Sequence, residues 1–196
     1  MSTDSRPIDP QRAQDVAREF DMLQGLTLVA AGVGMMLFGA LFGSSPGIGV
    51  IALLAAIGIG FPLASAWYAK HYGRARSGWR RNLVALVIAI PAIVIIFLAL
   101  GIDHFEQLPV LLSMLTTAVL LWVGVRLGAR RLGMRPIDHV VPAGLAASSL
   151  APLVVGPAGG FPAISFYFLV TGIALVALGV AWHRRLVSVM GSPDAS

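Results

Sequence analysis

The sequence predicts an all-α integral membrane protein in which six transmembrane helices form three consecutive hairpins, with both termini in the cytoplasm. Of its 196 residues, 57% are hydrophobic and only 12% are charged, whereas a soluble domain carries about 25% charged residues. The apolar residues form long runs, and the basic residues cluster at the ends of those runs. The chain contains no cysteine, which excludes disulfide bonds and thiolate metal sites.

Residues 1–22 are predicted to be a cytoplasmic segment containing a short amphipathic helix on the membrane surface. Asp9 and Pro10 suit the N-cap and the first position of a helix. Apolar residues then recur at helical spacing: Ala13, Val16, Ala17 and Phe20. A frayed, solvated tail fits the same residues equally well, because this apolar stripe is narrow. We expect no cleaved signal peptide, because the leader is long and partly acidic.

The six predicted spans lie within residues 23–185, and residues 186–196 form a cytoplasmic tail. Their approximate bounds are 23–42, 50–68, 83–100, 110–127, 140–155 and 161–182. Proline removes a backbone donor and crowds the preceding turn, so we expect helix kinks at four positions: Pro62, Pro91, Pro142 and Pro152. The fifth span is the least apolar, and we expect a broken helix that its neighbours shield from lipid.

Glycines in the first span predict close helix packing. Gly25, Gly32 and Gly39 recur every seven residues, and Gly39 and Gly43 form a GxxxG motif. Small residues at such spacing allow another helix to approach closely, although they do not identify that helix.

The basic residues orient the predicted spans. If the loop between the second and third spans is cytoplasmic, all 14 Lys and Arg residues lie on the cytoplasmic side of six crossings. The outer connections then carry only Asp103 and Glu106 as strong charges. The same distribution indicates that the fifth span crosses the membrane, because otherwise the arginines after the sixth span would face outward.

The three predicted hairpins share one feature, since Trp67, Trp122 and Trp182 each end an even-numbered span close to basic residues. A parallel internal repeat would produce this pattern. We favour a simpler explanation, because Trp prefers membrane interfaces and basic residues prefer the cytoplasmic side without any duplication.

The sequence has no recognisable catalytic pattern. No Asp, Glu, Lys or His lies in the middle of a predicted span, where proton relays and ion-coupled transport usually need ionisable groups. The metalloprotease, Walker A and nucleophile-elbow motifs are absent. We therefore expect no enzymatic activity, no cofactor and no bound metal. The polar residues 103–106 and the pair Asp138–His139 have metal-binding side chains, but a solvated loop is the preferred interpretation.

Hydroxyl groups within the predicted spans form the first candidate site. They are Thr116, Thr117, Ser148, Ser149, Ser165, Tyr167 and Thr171. Hydrogen bonding between helices is the simpler explanation, because polar groups at this depth need partners inside the bundle. The functional alternative is a weakly polar cavity for a neutral or amphiphilic small molecule, with the fifth span as its deformable wall.

Basic residues on the predicted cytoplasmic side form the second candidate site. They are Lys70, Arg74, Arg76, Arg80, Arg81, Arg130 and Arg131. Orientation of the protein and attraction to anionic lipid head groups, worth about 1 kcal/mol per basic residue, explain them most simply. A docking site for a cytoplasmic protein is the alternative, because Tyr68, Tyr72 and Trp79 lie among the arginines. Nucleic acid is not expected beside a bilayer.

The expected function is that of a small permease, or of the membrane subunit of a transporter, in the cell membrane. The alternative is a scaffold or regulatory subunit that transports nothing and binds a cytoplasmic partner on its basic face. Assembly into a homo-oligomer is compatible with either function.

Overall fold

The computed structural model describes five ranges, residues 25–72, 79–106, 108–128, 134–155 and 162–190. Within these ranges the protein is all-helical, with seven helices and no strand. The helices are α1 (Gly25–Leu41), α2 (Pro46–Tyr72), α3 (Trp79–Glu106), α4 (Leu112–Gly128), α5 (Pro136–Ser148), α6 (Ala151–Val155) and α7 (Ala163–Met190). The predicted surface helix before residue 23 and the end of the cytoplasmic tail lie outside the described residues.

Two of the described helices are long and apolar enough to cross a membrane. The qualifying stretches are Pro46–His71 in α2 and Ala163–Ser188 in α7. The apolar stretches Gly25–Leu41 and Leu112–Leu127 are shorter than the roughly 20 residues that a span usually needs. The two qualifying helices are consistent with a helical membrane protein, while the six-span arrangement stays a prediction.

Helix α7 contacts helices from both the first and the second half of the chain. It packs along α1, which also packs against α2, and it contacts α3, α4 and α5. Helix α4 packs in addition against α3 and α5. Each helix pair expected in a consecutive hairpin is therefore in contact, namely α1 with α2, α3 with α4, and α5 with α7. The most extensive packing nevertheless joins the first helix to the last.

Small residues bring α1 and α7 into this close contact, which we call the glycine seam. Three pairs face each other along the antiparallel helices: Gly25 with Gly179, Gly32 with Gly172, and Gly39 with Ser165. A Cβ atom built on Gly32 would lie 2.5 Å from the carbonyl oxygen of Gly172, closer than real Cβ atoms approach. The predicted packing role is therefore confirmed for Gly25, Gly32 and Gly39, but it is wrong for Gly43 of the GxxxG motif, where an added Cβ would meet nothing within 4 Å. Their partner helix has small residues at the same seven-residue spacing.

The predicted fifth span is broken, as expected, but its neighbours do not shield it fully, since Leu150, Leu153 and Val154 are exposed. Helix α5 ends at Ser148 and α6 begins at Ala151, directly before Pro152, which has no N–H to continue the helical hydrogen bonds. The carbonyl of Ser149 at this break accepts a hydrogen bond of 2.8 Å from the backbone N–H of Leu111. Helices α2, α3 and α5 continue through the other three prolines, Pro62, Pro91 and Pro142, whose kinks stay a prediction.

Large apolar side chains are exposed along α2 from Ile48 to Leu63 and along α3 from Val87 to Phe105. On α2 they are Ile48, Val50, Ile51, Leu54, Ile57, Ile59, Phe61 and Leu63. On α3 they are Val87, Ile88, Ile90, Ile93, Val94, Ile95, Phe97, Leu98, Ile102 and Phe105. Soluble monomers rarely expose so much apolar surface, so these two helices need an apolar environment.

Candidate ligand cavity and its surroundings

A cavity of about 560 Å³ lies where the ends of α1, α3, α6 and α7 meet. Its apolar lining includes Phe42, Leu108, Leu111, Pro152, Leu153 and Ile164, and its polar lining comprises Asp103, His104 and Ser165. Ligand pockets typically measure 300–1,000 Å³, with mostly apolar walls and a few polar groups. The cavity therefore has the size and the lining of a small-molecule site.

Asp103 is the acidic residue in the cavity lining. It lies in the last turn of α3, and its oxygens accept hydrogen bonds of 2.7 Å from Leu112 N–H and 2.8 Å from Ser113 N–H. These donors belong to the first turn of α4, whose N–H groups have no partner within the helix. The interpretation of residues 103–106 as a solvated loop is wrong at Asp103, because α3 runs through Glu106 and this carboxylate is only 4% exposed.

Four of the predicted hydroxyl residues converge in the interior between α4, α5 and α7. The hydroxyls of Thr117 and Tyr167 lie 3.0 Å apart. Thr171 Oγ1 and Ser148 Oγ each lie 3.9 Å from the sulfur of Met114, and Ser148 Oγ also donates to the carbonyl of Leu145 at 2.8 Å. Because these groups satisfy one another, their geometry favours hydrogen bonding between and within helices.

The other three predicted hydroxyl residues lie apart from this cluster. Ser149 Oγ donates to the carbonyl of Ala146, 2.6 Å away on its own helix. Thr116 is half-buried on α4, and Ser165 lines the cavity. The structure thus separates the predicted polar site into an interior hydrogen-bonded cluster and a cavity at one end of the bundle.

The opposite end of the bundle contains a buried charged pair, so the interpretation of Asp138 as a solvated residue is wrong. Asp138 Oδ2 lies 3.8 Å from the guanidinium of Arg185 and accepts a 2.8 Å hydrogen bond from Arg135 N–H. Its Oδ1 accepts a 2.9 Å hydrogen bond from the indole of Trp182. Asp138 is fully buried and Arg185 is 5% exposed, so the pair joins the start of α5 to α7 inside the protein.

A second contact at the same end joins α1, α2 and α7. The hydroxyl of Tyr68 lies 2.9 Å from Nδ1 of His183 and accepts a 3.2 Å hydrogen bond from Leu26 N–H. Tyr68 is fully buried, so the expectation that it contributes to an exposed docking surface is wrong. From its position beside Arg184 and Arg185, His183 is expected to be an interfacial side chain. In the structure it has a specific partner, the hydroxyl of Tyr68.

The predicted docking residues are only partly described. Lys70 is exposed at the end of α2. Arg80 and Arg81 belong to the first turn of α3. The remaining residues, Arg74, Arg76, Arg130 and Arg131, lie outside the described part of the chain. Docking of a partner or of anionic lipid on this face stays a prediction.

Within the described residues, no group of three or more His, Asp and Glu side chains is placed to hold a metal ion. No protein-family model, no curated protein and no solved structure matches this chain.

Proposed function

We propose that this chain is a six-span protein of the cell membrane that binds a small amphiphilic molecule in the cavity formed by α1, α3, α6 and α7. It would act as a small permease or as the membrane subunit of a transporter. The observation that carries the proposal is the cavity of about 560 Å³, with its apolar walls and three polar groups.

The exposed apolar faces of α2 and α3 support the location in a membrane. Each square ångström of apolar surface exposed to water costs about 25 cal/mol, so a bilayer is the solvent in which these faces are stable. The 17 residues of α1 give a length of about 25 Å at the helical rise, close to the hydrocarbon thickness of about 30 Å.

The broken helix supports a transport role for the cavity. Pro152 and Leu153 of the short helix α6 form part of its wall, directly after the break that follows α5. Discontinuous helices at binding sites are common in transporters, because irregular backbone is tolerated where it lines a cavity. The hydrogen bond from Leu111 N–H to the Ser149 carbonyl couples this break to another wall of the same cavity.

The proposal places the binding site at one end of the bundle. Under the predicted topology this is the outer end, because it contains the end of α1 and Asp103. The hydroxyl cluster around Met114 is then a structural element of the bundle, since its members already have partners.

Two glycines allow a matched test of the cavity. A Cβ atom at Gly43 or at Gly47 would meet nothing within 4 Å, and both residues are exposed. Gly43 lines the cavity, whereas Gly47, on the other side of the same turn, is not among its lining residues. Replacing either with Leu therefore adds the same side chain at a position where its Cβ meets no other atom, and only Gly43→Leu adds it to a residue of the cavity lining.

The test uses phenethyl alcohol as a neutral amphiphilic probe, titrated calorimetrically into the purified protein in nanodiscs of zwitterionic lipid. Empty nanodiscs correct for partitioning into lipid. We expect saturable binding that Gly43→Leu weakens by about tenfold or more and that Gly47→Leu leaves within about twofold of wild type. Absence of saturable binding, or equal weakening by both variants, would contradict the proposal.

A further inference from the structure

We infer that the cavity recognises an amphiphile carrying a protonated amine, and that the carboxylate of Asp103 pairs with this amine. The inference rests on the proposed function, since it requires that the cavity bind a small molecule. It adds the chemical class of the ligand and the residue that selects it.

The carboxylate of Asp103 retains the capacity to accept hydrogen bonds from a ligand. Each of its oxygens accepts one backbone N–H, from Leu112 or Ser113, whereas an ionised carboxylate offers about four lone-pair sites in total. The residue lines the cavity while only 4% of it is exposed. An alkylammonium donor in the cavity would therefore meet a charged acceptor, and such charge-assisted hydrogen bonds are about twice as strong as neutral ones.

The charge of Asp103 is only partly compensated by the protein. The N-terminus of α4 contributes the equivalent of about half a positive charge, which leaves net negative charge beside the cavity. The lining residues include neither Lys nor Arg. Because its apolar walls lower the local dielectric constant, the remaining charge favours a cationic ligand group and disfavours an anionic one.

The rest of the lining determines the body of the ligand. Apolar surface in the lining comes from three separate segments, namely Phe42 directly after α1, Leu111 directly before α4, and Ile164 in α7. An aromatic or branched aliphatic group would bury its surface there. The two parts together specify an amine attached to an apolar body.

The distribution of charge along the chain agrees with this selectivity. The described basic residues at the opposite end include Lys70, Arg184 and Arg185, whereas Asp103 and Glu106 lie at the cavity end. The cavity end is therefore negative, which raises the local concentration of cations over that of anions.

The test compares three probes of similar size: phenethylamine, phenethyl alcohol and phenylacetate. Each is titrated calorimetrically into nanodiscs containing wild-type protein, Asp103→Asn or the control Glu106→Gln. Glu106 is exposed in the same helical turn and is not among the lining residues, so its substitution removes a nearby charge from outside the cavity.

We expect wild-type protein to bind the amine about tenfold more tightly than the alcohol, and to bind phenylacetate least. Asp103→Asn should lower the affinity for the amine to that of the same variant for the alcohol. Glu106→Gln should preserve the preference for the amine. If Asp103→Asn does not fold, because α4 loses part of its cap, the wild-type order of the three affinities decides the question.

Two outcomes would overturn the inference, and they separate it from the proposed function. If the alcohol binds and Gly43→Leu weakens it, but wild-type protein shows no preference for the amine, the ligand cavity stands and recognition by Asp103 is wrong. If neither the amine nor the alcohol binds saturably, the proposed function fails as well.

Discussion

The glycine seam between α1 and α7 predicts that adding one methyl group at Gly32 destabilises the protein. In Gly32→Ala the new Cβ would lie 2.5 Å from the Gly172 carbonyl oxygen and 2.8 Å from a methyl group of Val176. Ordinary contacts of this kind are 3.4–4 Å, so the two helices would have to separate by about 1 Å. Overpacking of this kind costs about 1–3 kcal/mol.

Gly58 provides the matched control. It lies on an exposed face of α2, where an added Cβ would meet nothing within 4 Å. Because alanine favours the helix over glycine by about 0.8–1 kcal/mol, Gly58→Ala should be neutral or slightly stabilising. Both variants replace a helical glycine with alanine, so the gain in helix propensity is common to them. Their free energies of unfolding should therefore differ by the cost of overpacking, about 1–3 kcal/mol.

The assay is reversible unfolding by SDS in mixed micelles, followed by circular dichroism for wild type and both variants. The double variant Gly32→Ala/Gly172→Ala should cost less than the sum of the single variants, because one separation of the helices accommodates both methyl groups. Equal stability of Gly32→Ala and Gly58→Ala would refute the close packing of α1 on α7.

Two further predictions concern buried polar groups. Arg185→Gln should destabilise the protein by about 3 kcal/mol in the same assay, because it leaves the buried Asp138 carboxylate without its cation. The control Arg184→Gln, at an exposed position, should change stability by less than about 0.5 kcal/mol. Equal effects of the two variants would contradict the buried pair. Among the described residues, Ser113 Oγ is the buried side-chain oxygen without a hydrogen-bond partner, so Ser113→Ala should stabilise the protein by about 1 kcal/mol. Thr117→Val removes a hydrogen-bond partner of Tyr167 and should destabilise the protein by a similar amount. A destabilised Ser113→Ala would show that this hydroxyl has a partner.

Features that depend on local spacing could be predicted from the sequence. The seven-residue repeat of Gly25, Gly32 and Gly39 places these glycines on one helix face, so their packing role follows from helix geometry alone. The break before Pro152 likewise follows from the missing N–H of proline. Both features are present in the structure.

Features that depend on contacts between helices could not be predicted. The sequence predicts Asp103 to be part of a polar loop. In the structure it caps α4, because the start of α4 packs beside the end of α3. Asp138 and Trp182 are 44 residues apart in the chain and meet because α5 packs against α7. The expectation that hydroxyl groups find partners inside the bundle is confirmed for Thr117, Tyr167, Thr171 and Ser148. The sequence contains no signal that Met114 lies between two of them.

The account as a whole depends on α2 crossing the membrane with the cavity on the outer side. The chain has no cysteine, so single cysteines introduced as Gly43→Cys, just before α2, and Lys70→Cys, near its end, report on the two sides separately. The decisive measurement is labelling with a membrane-impermeant maleimide in intact and in permeabilised cells. We predict that Gly43→Cys reacts in intact cells and that Lys70→Cys reacts only after permeabilisation. Reaction of both positions from one side, or the reverse order, would contradict the account.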